Sequence, residues 1–291
     1  MRWCMVKKIL ILLFVFSSIF SYGQANRFAG FGSRNTCPVE ALAFIDSAAI
    51  TNQTEKDAVC TLIKSLKDSS LYSKFIAIYP VLGSTGSSAK WNAANIMDAD
   101  SSHRLTFFGG VTFGSLGVTF NGTNGYSDSH IVPASHFVKT DMSVVALISG
   151  GTLTGGAAPG TIGCTENFTT TAYEFGARTS VKYFVTNGES QNFAYASNSS
   201  TTGIFIGNVK SGTISIIRNG TTLGSNTQSA GGAIPSLQSI YIGALGYAGG
   251  AAPATYQNVT LGLVMIGTGL TPAEVAKLNG IVNTYKTTLG R

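Results

Sequence analysis

Only three histidines, His103, His130 and His136, are available to this 291-residue chain as bases near neutral pH. His130 follows Asp128, so residues 126–136 offer a Ser/His/Asp set for acyl transfer, although isolated loop histidines also serve as surface hydrogen-bonders. No G-x-S-x-G elbow accompanies them. Residues 83–90 resemble a phosphate loop superficially, but they lack the GxxxxGK[ST] spacing and the strand-to-helix setting that aims backbone N–H groups at phosphate. Asp98 and Asp100, with Asn92 and Asn95 nearby, supply the hard oxygens that a structural Ca²⁺ takes. Such Asx side chains also cap their own turns, and both readings stay open. Neither a CxxC pair nor a Cys/His cluster is present, so no structural zinc site is expected.

The elements that must position these groups are set by composition. The chain is 44% hydrophobic and carries 35 glycines, enough for a large core built of short strands and tight turns. Residues 1–23 read as a secretory signal peptide: Arg2, Lys7 and Lys8 precede an apolar core at residues 9–16, and Ser21 and Gly23 suit a cut before Gln24. That apolar run is shorter than the ~20 residues a spanning helix needs, so no membrane span is expected in the mature protein. Without Arg2, Lys7 and Lys8, the 19 basic residues become 16 against 13 acidic ones. No Lys/Arg cluster remains, and nucleic acid is excluded as a partner. Cys37, Cys60 and Cys164 are left in an exported chain, which predicts one bridge and one leftover thiol. Cys37 and Cys60 bracket the helical region and are the expected pair.

Residues 38–67 read as helix, starting near Thr51/Thr54 with Glu55 and carrying the stripe Val59, Leu62, Ile63 and Leu66. Residues 71–82 read as a short helix or turn feeding an extended segment. From there the chain alternates. Ile214, Ile216 and Leu223 flank Asn219-Gly220, a type I′ hairpin signal, and short β-runs recur at roughly ten-residue spacing. Leu270-Thr-Pro-Ala-Glu274 predicts a capping box on Thr271 with Pro272 at the first helical position. Val275, Leu278, Val282, Tyr285 and Leu289 would form the apolar face of that closing helix.

The Asn219-Gly220 hairpin, Ile240-Tyr-Ile-Gly243, residues 256–266 and Leu270-Thr-Pro-Ala-Glu-Val275 resemble the closing strands of the concanavalin A-like lectin/glucanase superfamily, in its laminin-G-like form. Residues 43–47, 78–80, Trp91-Asn92 and 122–128 are similar to versions found in bacterial surface and phage structural proteins. The resemblance implies an all-β jelly-roll sandwich of two curved antiparallel sheets, with an N-terminal helical region and a C-terminal helix. The expected domains are a signal peptide (1–23), a helical segment packed on the sandwich (24–82) and the jelly roll with its closing helix (83–291).

Glucanases of this superfamily use E-x-D-x-x-E on one strand, because retaining hydrolysis needs two carboxylates about 5 Å apart. Glu40, Glu55, Glu166, Glu174, Glu189 and Glu274 lack that spacing, so a non-catalytic module is expected and a polysaccharide hydrolase is the weakest reading. A glycan or cell-surface polymer would need an aromatic platform and a few fixed polar groups. The candidates are Trp91, Tyr126, Tyr247 and Tyr256 with Asn124 and Asp128. The alternative is a self-assembling subunit of an extracellular fibre or phage-like particle, a homo-oligomer. No cofactor is expected beyond the Ca²⁺ considered above.

Overall fold

The computed structural model describes residues 37–153, 161–167, 171–177, 181–185, 193–197, 199–228, 232–248, 253 and 255–291. The signal segment 1–23 and most of the Gly-Ala-rich loops at 155–159 and 249–253 lie outside these residues.

The helix predicted over 38–67 is two helices, α1 (Val39–Ser47) and α2 (Gln53–Asp68). Ala49, at φ 52°, breaks the run: its N–H reaches Asp46 O at 3.1 Å and the Ile50 N–H reaches Ile45 O at 3.0 Å. This is a Schellman stop, normally made with glycine. The cap of α2 is Asn52, whose Oδ1 accepts from Glu55 N–H at 3.2 Å, not Thr51 or Thr54. Cys37 and Cys60 form the expected disulfide, tying the start of α1 to α2. A short helix, α3 (Gly86–Ala89), stands where the phosphate-loop likeness falls.

One sheet runs β13 (Thr221–Thr227), β12 (Thr213–Arg218), β11 (Gly203–Lys210), β6 (Asp141–Gly150), β17 (Asn258–Gly267), β4 (Gly117–Asn121) and β3 (Val111–Gly114), and β1 (Phe75–Tyr79) also pairs with β17. The sandwich therefore takes in β1, from within the segment 24–82 assigned to the helical region. The second sheet runs β10 (Phe193–Ser197), β9 (Val181–Val185), β8 (Thr171–Ala177), β7 (Ile162–Asn167), β14 (Tyr241–Ile242), β5 (Tyr126–Asp128) and β2 (Thr106–Phe108). Within it, β15 (Ala244–Tyr247) pairs with β16 (Thr255–Tyr256) and lies parallel to β7, while the remaining pairings between strands are antiparallel. The Asn219-Gly220 turn has both residues at positive φ, 49° and 81°, as a type I′ hairpin requires.

Phe120, Tyr173, Phe175, Phe184 and Phe205 fill the space between the sheets. Strands β6 and β17 are apolar on both faces. Their inward side chains join the inter-sheet core, whereas Val145, Leu147, Leu263 and Met265 are equally buried outside it. The cover on that outer face is α2 packed with α4 (Pro272–Thr288). Helix α4 opens with the predicted capping box: Thr271 Oγ1 accepts from Glu274 N–H and Glu274 Oε2 accepts from Thr271 N–H. Its Val275, Leu278, Val282 and Tyr285 are buried, and Tyr285 Oη donates to Pro80 O at 2.6 Å. Burial on both faces explains the unbroken apolar runs. The outer face of the second sheet carries partly exposed side chains at β2, β5 and β14, where the candidate site lies.

Candidate functional site: an aromatic platform on the second sheet

Side chains alternate along a strand, so Tyr126 and Asp128 share one face of β5. Register places Phe108 opposite Tyr126, and both Thr106 and Tyr241 opposite Asp128. The core-facing partners are different residues: Ile240 and Ile242, which flank Tyr241, are buried. Four rings meet on the outer face as a result. Phe108 stacks on Tyr126 with centroids 4.8 Å apart and planes 15° from parallel. Tyr126 stacks on Tyr241 at 4.9 Å and 28°, and Tyr256 of β16 leans on Tyr126 at 6.2 Å. Phe108 keeps 41% of its surface exposed, and the three tyrosines are half-buried. Burial raises the Tyr126 phenol above its ordinary value, with Tyr241, Tyr256 and Asp128 adding to the effect. Burial likewise raises Tyr241, against a lowering hydrogen bond from Gln238. Both hydroxyls therefore stay protonated near neutral pH and can donate.

The expected site residues divide around this cluster. Tyr126 and Tyr256 are in it. Tyr247 ends β15 opposite Thr165 of β7 and is not among the rings around Tyr126. Trp91 lies elsewhere, with the Arg104 guanidinium 3.8 Å from its ring centroid and the Lys90 ammonium at 5.6 Å. Asn124 fastens its loop: its Oδ1 accepts from Gly110 N–H at 2.9 Å and from Asn121 Nδ2 at 2.8 Å. Asp128 sits beside Tyr241, but its Oδ1 accepts from His130 N–H and from Ser239 Oγ, each at 2.7 Å. Phe108 and Tyr241 were not among the candidates. The signal for Tyr241 was present in Ile240-Tyr241-Ile242, where two inward isoleucines force the middle ring outward.

The Asp128–His130 pair considered for acyl transfer reaches Thr106, whose Oγ1 lies 2.8 Å from His130 Nε2. His130 Nδ1 is 3.7 Å from Asp128 Oδ2, beyond hydrogen-bond reach, so no relay is assembled here. The two acids considered for Ca²⁺ are met by donors. Asn92 Nδ2 and Asn95 Nδ2 donate to Asp98 at 2.9 and 2.6 Å, while Lys90 and Arg104 pair with Asp100. Those cations hold the Asp100 carboxyl below its usual range. Cationic and amide N–H groups around both acids are the wrong company for Ca²⁺, and the pair does not fit it. Cys164 is fully buried in the core, and that burial pushes its thiol up, away from the reactive thiolate. Another concavity, of about 470 Å³, lies between β11–β12 and the start of α4. Its Lys210 is paired with Asp141 at 2.8 Å and its Thr271 is spent in the capping box.

No protein-family model and no curated protein sequence matches the chain. Among solved structures, the fold is similar to domain 4 of AbnA, a GH43 extracellular arabinanase from Geobacillus stearothermophilus in complex with arabinotriose, at 13% identity and TM-score 0.47, covering 71% of this chain and 98% of that one. It is also similar to Trypanosoma rangeli sialidase in complex with sialic acid, at 14% identity and TM-score 0.48, covering 79% of this chain and 39% of the sialidase. The binding domain of Paraclostridial Mosquitocidal Protein 1 matches at 11% identity and TM-score 0.48, covering 72% of this chain and 52% of that one. This chain thus spans about half or less of the latter two. The likeness is one of fold.

Proposed function

We propose that the protein is an exported, non-catalytic module that binds a carbohydrate or a glycan-bearing cell surface through the Phe108–Tyr126–Tyr241–Tyr256 platform, on a laminin-G-like jelly roll of the concanavalin A-like superfamily. The observation that carries the reading is the stack itself: four rings gathered on the sheet face that the helices do not cover. Flat aromatic faces suit the C–H faces of sugar rings, while phenol hydroxyls at the edge suit sugar hydroxyls. Against catalysis stands the engagement of Asp128, the acid beside Tyr241, by His130 N–H and Ser239 Oγ. The Cys37–Cys60 bridge supports an oxidising compartment, in agreement with the signal peptide read at 1–23. Among the described residues no helix is long and apolar enough to cross a membrane.

A glycan array of the mature protein, read beside its size in solution, tests the proposal. Selective binding of a sugar class by a monomer is the expected result. Large regular oligomers without sugar binding would transfer the platform to the self-assembling subunit, and turnover of a bound polysaccharide would restore the hydrolase.

A further inference from the structure

A second grouping lies outside the platform. Nε2 of His103 and Nε2 of His136, 33 residues apart in the chain, stand 3.2 Å from each other. The rings meet edge to face, with planes 73° apart and centroids at 4.8 Å. Two imidazole nitrogens that each bind one tetrahedral ion at ~2.0–2.1 Å lie about 3.3–3.4 Å apart, so the two nitrogens stand within about 0.2 Å of the separation a shared ion would set.

Both histidines are anchored through their backbones. His103 sits in the left-handed region at φ 59°, uncommon for a non-glycine residue, and the buried Tyr79 hydroxyl donates to its carbonyl at 2.9 Å. Its Nδ1 faces Asp98 Oδ2 at 3.7 Å. Asp98 is in turn fixed by Asn95 and by Asn92, which is fully buried and bonded to β1 through Ile76 and Ile78. On the other side His136 follows a 3-10 turn, its N–H donating to Pro133 O at 3.0 Å.

We propose that His103 and His136 form a two-imidazole site for a divalent transition metal of the Zn²⁺ or Cu²⁺ class. Imidazole pairs favour these ions over Ca²⁺ and Mg²⁺. Among the described residues no third His, Cys, Asp or Glu completes the set, so water or an incoming ligand takes the remaining positions. The ion would clip the 98–104 loop to the segment after Pro133.

The test is calorimetric titration of the tag-free mature protein with Zn²⁺ and Cu²⁺ alone, repeated with His103→Asn, His136→Gln and the control His130→Ala. Asparagine tolerates the left-handed backbone, and the melting temperature of each variant confirms folding. One equivalent should bind to the wild type and to His130→Ala. Affinity should fall at least ~10-fold in each of the two ligand variants. Saturating Zn²⁺ should raise the melting temperature of the wild type and leave His103→Asn unmoved. Absence of uptake by the wild type, or uptake that survives both ligand substitutions, would overturn the site and leave a plain His–His hydrogen bond.

Discussion

The ring of Tyr126 lies against the ring of Tyr241 at 4.9 Å although β6 to β13 intervene in the chain. The contact is made by register, since β5 and β14 pair through Tyr241 and Asp128. Tyr126 also touches Phe108 and Tyr256, so it is the hub of the platform. A double-mutant cycle of Tyr126→Ala and Tyr241→Ala, followed by denaturant unfolding, should give a coupling of about 0.5–1.5 kcal/mol. Additive losses would mean that the stack is not formed in solution.

Two glycines should respond oppositely to alanine. At Gly243 the backbone has φ +83° and an added Cβ would stand 2.4 Å from Phe120 Cγ. Strain and overpacking add there, and Gly243→Ala should cost more than about 2 kcal/mol. Gly280 lies inside α4 with nothing within 4 Å of the added atom. Gly280→Ala should stabilise by roughly 0.5–1 kcal/mol. Midpoints of urea unfolding at constant slope decide both.

The start of α4 should be acid-sensitive. Burial tends to raise the Glu274 carboxyl, but the Thr271 N–H and the Lys74 ammonium at 2.9 Å outweigh it and hold the group below its ordinary value. A carboxyl depressed on folding contributes stability above its unfolded value, lost as pH falls from there through the folded one. The wild type should therefore weaken below about pH 4.5, and Glu274→Gln should flatten that part of the stability curve. At neutral pH, Thr271→Ala should cost about 1 kcal/mol through the lost cap. Melting temperatures measured from pH 7 to pH 3 would show whether the slope belongs to Glu274.

Local signals carried much of the architecture. The Asn219-Gly220 turn, the capping box and the helical stripe of α2 are written in neighbouring residues and stand where the spacing puts them. Where the outcome depended on long-range partners, the sequence was mute. The break at Ala49 rests on backbone hydrogen bonds that a non-glycine residue accepts, and Ala48-Ala49 carries no stop signal. Strand β14 is two residues long and joins the opposite sheet from β12 and β17, which only tertiary pairing decides. Of the platform, Tyr126 and Tyr256 were among the aromatic candidates that the sequence offered. Phe108 and Tyr241 became site residues through register alone. Asn124 and Asp128 looked like ligand groups because Asx side chains of either role have the same sequence, and only the hydrogen bonds reveal that their oxygens hold loops together.

The central claim is that the open aromatic face binds sugar. Titration calorimetry with the strongest array ligand, comparing the wild type with Tyr126→Ala at matched folded fraction, tests it most directly. The account predicts at least ~10-fold weaker binding in the variant, about 1.4 kcal/mol, with the melting curve still cooperative. Equal affinity in both proteins, or no carbohydrate ligand for either, would contradict it.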